Sequence, residues 1–146
     1  MSDARQSDIE IYVAAPSARI VTWLNQRCAW STPLTPMRRG GMATHRGEAL
    51  VPATGHDGGA GDIGRAPALP VPVLVVEDAA DGFTSVLFDS PAAPWVDDLA
   101  CAKEVAVALD CEVRCTDGSW QDGQAEDEGW LSVSPAGTRP IRWKPA

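Results

Sequence analysis

WVDDLACAKEVAVALDCEVRC, residues 95–115, decides the fold class. Stepped at about 100° per residue, Trp95, Leu99, Ala102, Val105, Ala106 and Leu109 fall on one stripe. Asp97 and Glu104 lie opposite it, with Asp98, Lys103 and Asp110 on its flanks. Val96, Ala100, Val107 and Ala108 lie outside the stripe, so much of the remaining surface is apolar or small as well. This pattern predicts a helix mostly covered by neighbours, with a narrow wet face. Its alanines favour the helix intrinsically and let its backbone come close to a sheet. Pro94 marks the start, a position where no N–H bond is lost, and Asp97 and Asp98 then meet the positive end of the helix dipole. Beyond Asp110 the period changes to two: Cys111, Val113 and Cys115 face one way, Glu112 and Arg114 the other. The stretch reads as a helix running into a half-buried strand.

Toward the N-terminus, Ile9, Ile11 and Val13 alternate with Glu10, Tyr12 and Ala14, which predicts a first strand. Pro16 and Ser17 punctuate it, and Ser17 is the expected N-cap of a helix through about Arg27. Ile20, Val21, Leu24 and Cys28 form that helix's apolar face. From Ser31 to Pro70 the pattern gives out, for eight of the thirteen glycines fall there. A short strand around Ala43 to Val51 is the one element suggested, and the Gly/Pro-rich segment at about 31–70 is read as flexible. Val73 to Val76 predicts a central strand covered on both faces, and Asp81-Gly82 a tight turn into a strand over Phe83 to Asp89. At the C-terminal end, Trp130–Ser134 and Thr138–Lys144 flank Pro135-Ala136-Gly137 as a hairpin. Helices separated by hairpins point to one α+β domain over residues 1–146, a mainly antiparallel sheet with two helices on one face. A ferredoxin-like or split βαβ arrangement is the expectation.

The 146 residues suffice to bury roughly two-thirds of the unfolded surface without disulfides. The net charge of −8 is unevenly placed. Residues 1–72 carry seven arginines against six acids, whereas residues 73–146 carry five basic residues against fourteen acids. An acidic half argues against nucleic acid or an anionic membrane as partner, since both would be repelled. The polar start MSDARQSD carries no apolar core of a signal peptide, and Val73–Val76 is too short an apolar run to span a bilayer. A cytoplasmic location with reduced thiols is expected. Ten arginines against two lysines, with abundant Ala and Gly, point to the coding bias of a GC-rich bacterial genome.

The chemical motifs are weak. Gly59-Ala60-Gly61-Asp62-Ile63-Gly64 matches a dinucleotide spacing, but Pro67 and Pro70 follow where a helix must open. Cys111 and Cys115, four residues apart on a strand, would stand roughly 13 Å apart, too far for a shared metal or a disulfide. With Cys28 and Cys101 they are read as buried structural thiols. His56, beside Asp57, is a loop histidine with nothing to fix its geometry. The loop Asp117–Gly129 holds five acids in thirteen residues but misplaces the glycine and ligands of a calcium loop. Neither a metal nor a cofactor is expected.

That loop carries the functional expectation. Trp120 stands among Asp122, Glu126, Asp127 and Glu128, an aromatic anchor among carboxylates of the kind found at protein-binding hot spots. The chain is expected to be a non-enzymatic protein-binding domain, in one version a bacterial inhibitor or immunity-type protein engaging a basic partner by charge complementarity. The alternatives are a small-molecule-binding domain with the Gly-rich segment as a lid, or a small enzyme using Cys101 or His56.

Overall fold

A computed structural model describes residues 8–39, 42–52, 68–90, 92–117 and 127–144. Among the described residues the fold is α+β: eight antiparallel strands in one sheet and two helices. In chain order the elements are β1 (Ile9–Val13), α1 (Ser17–Arg27), β2 (Ala29–Arg39), β3 (Met42–Pro52), β4 (Ala68–Ala80), β5 (Phe83–Phe88), α2 (Asp98–Leu109), β6 (Val113–Thr116), β7 (Trp130–Ser134) and β8 (Gly137–Ile141). Their order across the sheet is β2-β3-β4-β5-β1-β6-β7-β8. The sheet is larger than a ferredoxin-like or split βαβ arrangement. β1 pairs antiparallel with both β5 and β6, so these two run the same way on either side of it, and α2 joins them.

Alternation sorts the sheet into two faces. Ile9, Ile11 and Val13 stand opposite Phe88, Val86 and Thr84, and Val73 and Val75 continue the row into β4. These side chains pack with Ile20 and Leu24 of α1 and with Cys101, Ala102, Val105, Ala106 and Leu109 of α2 in one buried cluster. The opposite face carries a smaller cluster, in which Ala80, Phe83 and Trp143 are buried and Tyr12, Trp130 and Ile141 pack against them.

α1 spans the expected residues, but Ser17 does not cap it. Pro16 holds that position in extended conformation, its carbonyl accepting from Arg19 (3.1 Å) and Ile20 (3.3 Å). Ser17 is instead buried, and its hydroxyl donates to the Glu77 carboxylate of β4 at 2.6 Å. α2 begins later than Pro94 suggests, because Asp97 caps it: the Asp97 side chain accepts from the Ala100 N–H at 2.8 Å. Trp95 therefore lies ahead of the helix, yet it is buried, with its ring edge-on to Phe88 at 5.1 Å. The wet face is wider than the stripe implies, for Val107 is 67 % exposed. The helix stops at Asp110, in left-handed conformation at φ 53°. Cys111 then falls in the turn before β6 and not in the strand row with Cys115.

The region where the sequence pattern gives out holds two eleven-residue strands, β2 and β3, paired along their length. β4 is longer than expected and alternates: Val71, Val73 and Val75 are buried, while Pro72, Leu74 and Val76 are half-buried, so one face is fully covered and the other in part. The terminal hairpin forms, but its second strand runs from Gly137 to Ile141 and not over Thr138–Lys144, with Gly137 paired to Ser134. No helix among the described residues is long and apolar enough to cross a membrane.

Candidate functional site

The charged end of the sheet is assembled from three distant parts of the chain. Asp8 and Glu10 open β1, Asp97 and Asp98 open α2, and Asp117 follows β6. The backbone N–H of Glu10 donates to Asp98 Oδ1 at 3.3 Å, and the Thr116 hydroxyl reaches Asp98 Oδ2 at 3.5 Å. These contacts tie the start of β1 and the end of β6 to the helix N-terminus. Burial of the Asp98 carboxyl pushes its pKa up to about 6; Asp8 and Glu10 add to the rise, and the bonds from Glu10 and Thr116 oppose it. Glu10 is likewise raised, by burial first and then by Asp8, although Tyr12 donates to it. Like charges this close disfavour one another's ionised form.

The acidic loop leaves from this same end. At its base the Asp117 N–H donates to the Gly129 carbonyl at 2.8 Å. Of the residues singled out in the loop, Trp120, Asp122 and Glu126 lie outside the described residues. Asp127 and Glu128 are described, and both pair with Arg142 beyond β8, at 3.2 and 2.6 Å. The structure thus gives two of the loop's acids a basic partner from the chain itself. The convergence of Asp8 and Glu10 with Asp97 and Asp98 was not visible in the sequence, because the first pair belongs to the half whose charges nearly cancel. The N-cap aspartates were the only available signal.

The cysteines are free, and burial raises the thiol pKa of all four. Cys101 is 1 % exposed, and burial raises its thiol well above the ordinary value. Cys115 is pushed up to about 12, by burial first and then by Asp98, Asp97 and Asp117. Cys28 is raised as well, chiefly by burial. A thiol this hard to ionise is a poor nucleophile. His56 and the glycine motif at 59–64 lie outside the described residues. His45 lies in β3, where its Nδ1 is buried without a hydrogen-bond partner among the described residues. No group of three or more His, Cys, Asp or Glu side chains among the described residues is placed to hold a metal ion.

A second polar site lies on the sheet face opposite the helices. The Arg114 guanidinium sits 4.7 Å from the Phe83 ring centroid and 4.8 Å from that of Trp143. Its Nε donates to Glu112 Oε2 at 2.9 Å, and the Ser132 hydroxyl donates to the same oxygen at 2.6 Å. Burial works against the Glu112 charge, but the bonds from Ser132 and Arg114 together with the charges of Arg114 and Arg139 hold the carboxyl below its usual pKa. A cleft of about 480 Å³ opens beside it, lined by Glu112, Ser132, Ser134, Gly137 and Arg139 among others.

Comparison with protein-family models, curated proteins and solved structures returned no match.

Proposed function

We propose that the chain is a non-enzymatic protein-binding domain that engages a basic partner through the carboxylates at the α2 end of its sheet. The observation that carries this reading is the convergence of Asp8, Glu10, Asp97, Asp98 and Asp117 at one end, next to the base of the acidic loop. Asp98 there has its pKa raised to about 6 by burial and by Asp8 and Glu10. A cationic partner would bring the complementary charge to this end of the sheet. Trp120, Asp122 and Glu126 in the loop, with Asp127 and Glu128 at its foot, extend the surface in this proposal. An inhibitor or immunity-type protein that blocks a basic toxin or nuclease is the concrete form. Complementary charge speeds encounter and suppresses wrong partners.

The test is capture from native lysate at low and high salt, with wild type and an Asp97→Asn/Asp117→Asn variant side by side. Asparagine caps a helix about as well as aspartate, so the variant removes charge while keeping the cap. The reading expects a basic protein retained at low salt, released at high salt and retained less by the variant. Equal retention by both proteins, or no salt-sensitive basic protein, would count against it.

A further inference from the structure

The cleft beside Glu112 shares no residue with the acidic end and presents a different charge pattern. Pairing places Arg114, Ser132 and Arg139 in one row across β6, β7 and β8, on the face opposite the helices. Both arginines favour the Glu112 charge, Arg114 by a direct bond and Arg139 through its own charge. Both bonds that fix Glu112 end on Oε2, so Oε1 accepts none among the described residues. Arg114 is committed to its carboxylate and to two aromatic rings. Arg139 is exposed, and it has no hydrogen bond or ion pair among the described residues. Glu112, with one carboxylate oxygen that accepts no hydrogen bond among the described residues, and Arg139 therefore line the same cleft, together with Ser134 and with Gly137, which offers no side chain to fill it.

We propose that this cleft binds a free α-amino acid, with the ammonium group on Glu112 Oε1 and the carboxylate on Arg139. The charges select the class. A dicarboxylate would be repelled by Glu112, and a polyamine would leave Arg139 without an acceptor and meet a second cation in Arg114. A zwitterion with opposite charges on one carbon satisfies both ends, and Arg recognises a carboxylate with two parallel donors. Ser132, buried and donating to Glu112, holds the carboxylate in place before any ligand arrives.

The experiment is a titration followed by backbone amide NMR, using the common free α-amino acids together with their N-acetyl and carboxamide forms. The proposal expects shifts at Glu112, Ser132, Ser134 and Gly137 with at least one free amino acid and with neither blocked form. Arg139→Ala should weaken that binding roughly tenfold to a hundredfold, as expected for losing a charged hydrogen bond. Glu112→Gln should also weaken it, but Glu112 anchors Arg114 and Ser132, so the exposed Arg139 is the decisive variant. Shifts that persist in Arg139→Ala, equal binding of a blocked form, or no shift with any probe would each overturn the proposal. None of these outcomes bears on the acidic end.

Discussion

Asp98 shows how one residue can be held in a place its charge resists. Its pKa of about 6 in the fold lies above the ordinary value of 3.8, with burial the largest cause. Between those two pH values the folded state holds a proton that the unfolded chain has released. The contribution of Asp98 to stability is thus fullest below the unfolded pKa and is lost as pH rises through the folded one. Asp98→Asn copies the neutral acid, and its carboxamide oxygen can still accept from Glu10. We expect this variant to melt near wild type at pH 4 and above wild type at pH 7.5, which thermal unfolding across that range would measure. A constant offset at all pH values would refute the account. Gly47 is constrained for a different reason. A Cβ there would stand 2.6 Å from the Thr32 carbonyl oxygen and 2.9 Å from the Leu34 nitrogen, both backbone atoms of β2. Gly47→Ala must push the strands apart, and a loss of about 1–3 kcal/mol is expected from urea denaturation, as for other overpacked sites. Nothing in the sequence around Gly47 announces this contact, because it depends on where β2 bulges.

At the scale of elements, legibility followed the simplicity of the pattern. β1, α1, α2 and the terminal hairpin carry clean periods and were readable from them. β2 was not, because Pro33 and Pro36 interrupt it and its register against β3 shifts between Trp30 and Thr32 and again between Thr32 and Thr35. A bulged strand loses strict alternation, and prolines are tolerated there because β2 is an edge of the sheet. Pro70 and Pro72 have a related explanation. β4 pairs with β5 only from Val73 onward, so Pro70 pairs with β3 alone, while Pro72 at the end of that ladder needs only to accept there, its carbonyl taking the Asp89 N–H at 2.9 Å. The start of α2 was misplaced because Pro94 and Asp97 are both helix-start signals, and only the Asp97 side chain bonds a free N–H. This makes a clear prediction. Asp97→Ala should cost about 1 kcal/mol of stability, whereas Asp97→Asn should cost little, as read from paired denaturation curves. Equal losses in the two variants would mean that the charge of Asp97, and not its bond to Ala100, is what matters.

For the molecule as a whole, part of the face away from the helices is covered by the segment that follows β8. Trp143 lies 5.2 Å from Tyr12, 5.5 Å from Phe83 and 4.8 Å from Trp130, centroid to centroid, and its Nε1 donates to Asp81 at 2.6 Å. Trp143→Ala should destabilise by about 3–5 kcal/mol, typical of deleting a buried aromatic side chain, while Trp143→Phe should recover much of the loss. Chemical denaturation of both variants checks this, and a near-neutral alanine variant would show that the second cluster adds little. The sequence placed Ile141 and Trp143 on one side of a strand but could not show that Tyr12 and Phe83 would meet them. Nor could it bring Glu10 to Asp98, eighty-eight positions away, since both joinings depend on sheet order. That order has a further consequence for how the chain is made. β1 leaves the ribosome before either of its partner strands, yet Ile9 faces Phe88 and Val13 faces Val113. Pairings this distant along the chain form slowly, and an unpaired apolar strand is open to association in the meantime. The β2-to-β5 meander can pair from neighbours in sequence, but the centre of the sheet must wait. β1 is thus made well before both strands that flank it in the sheet.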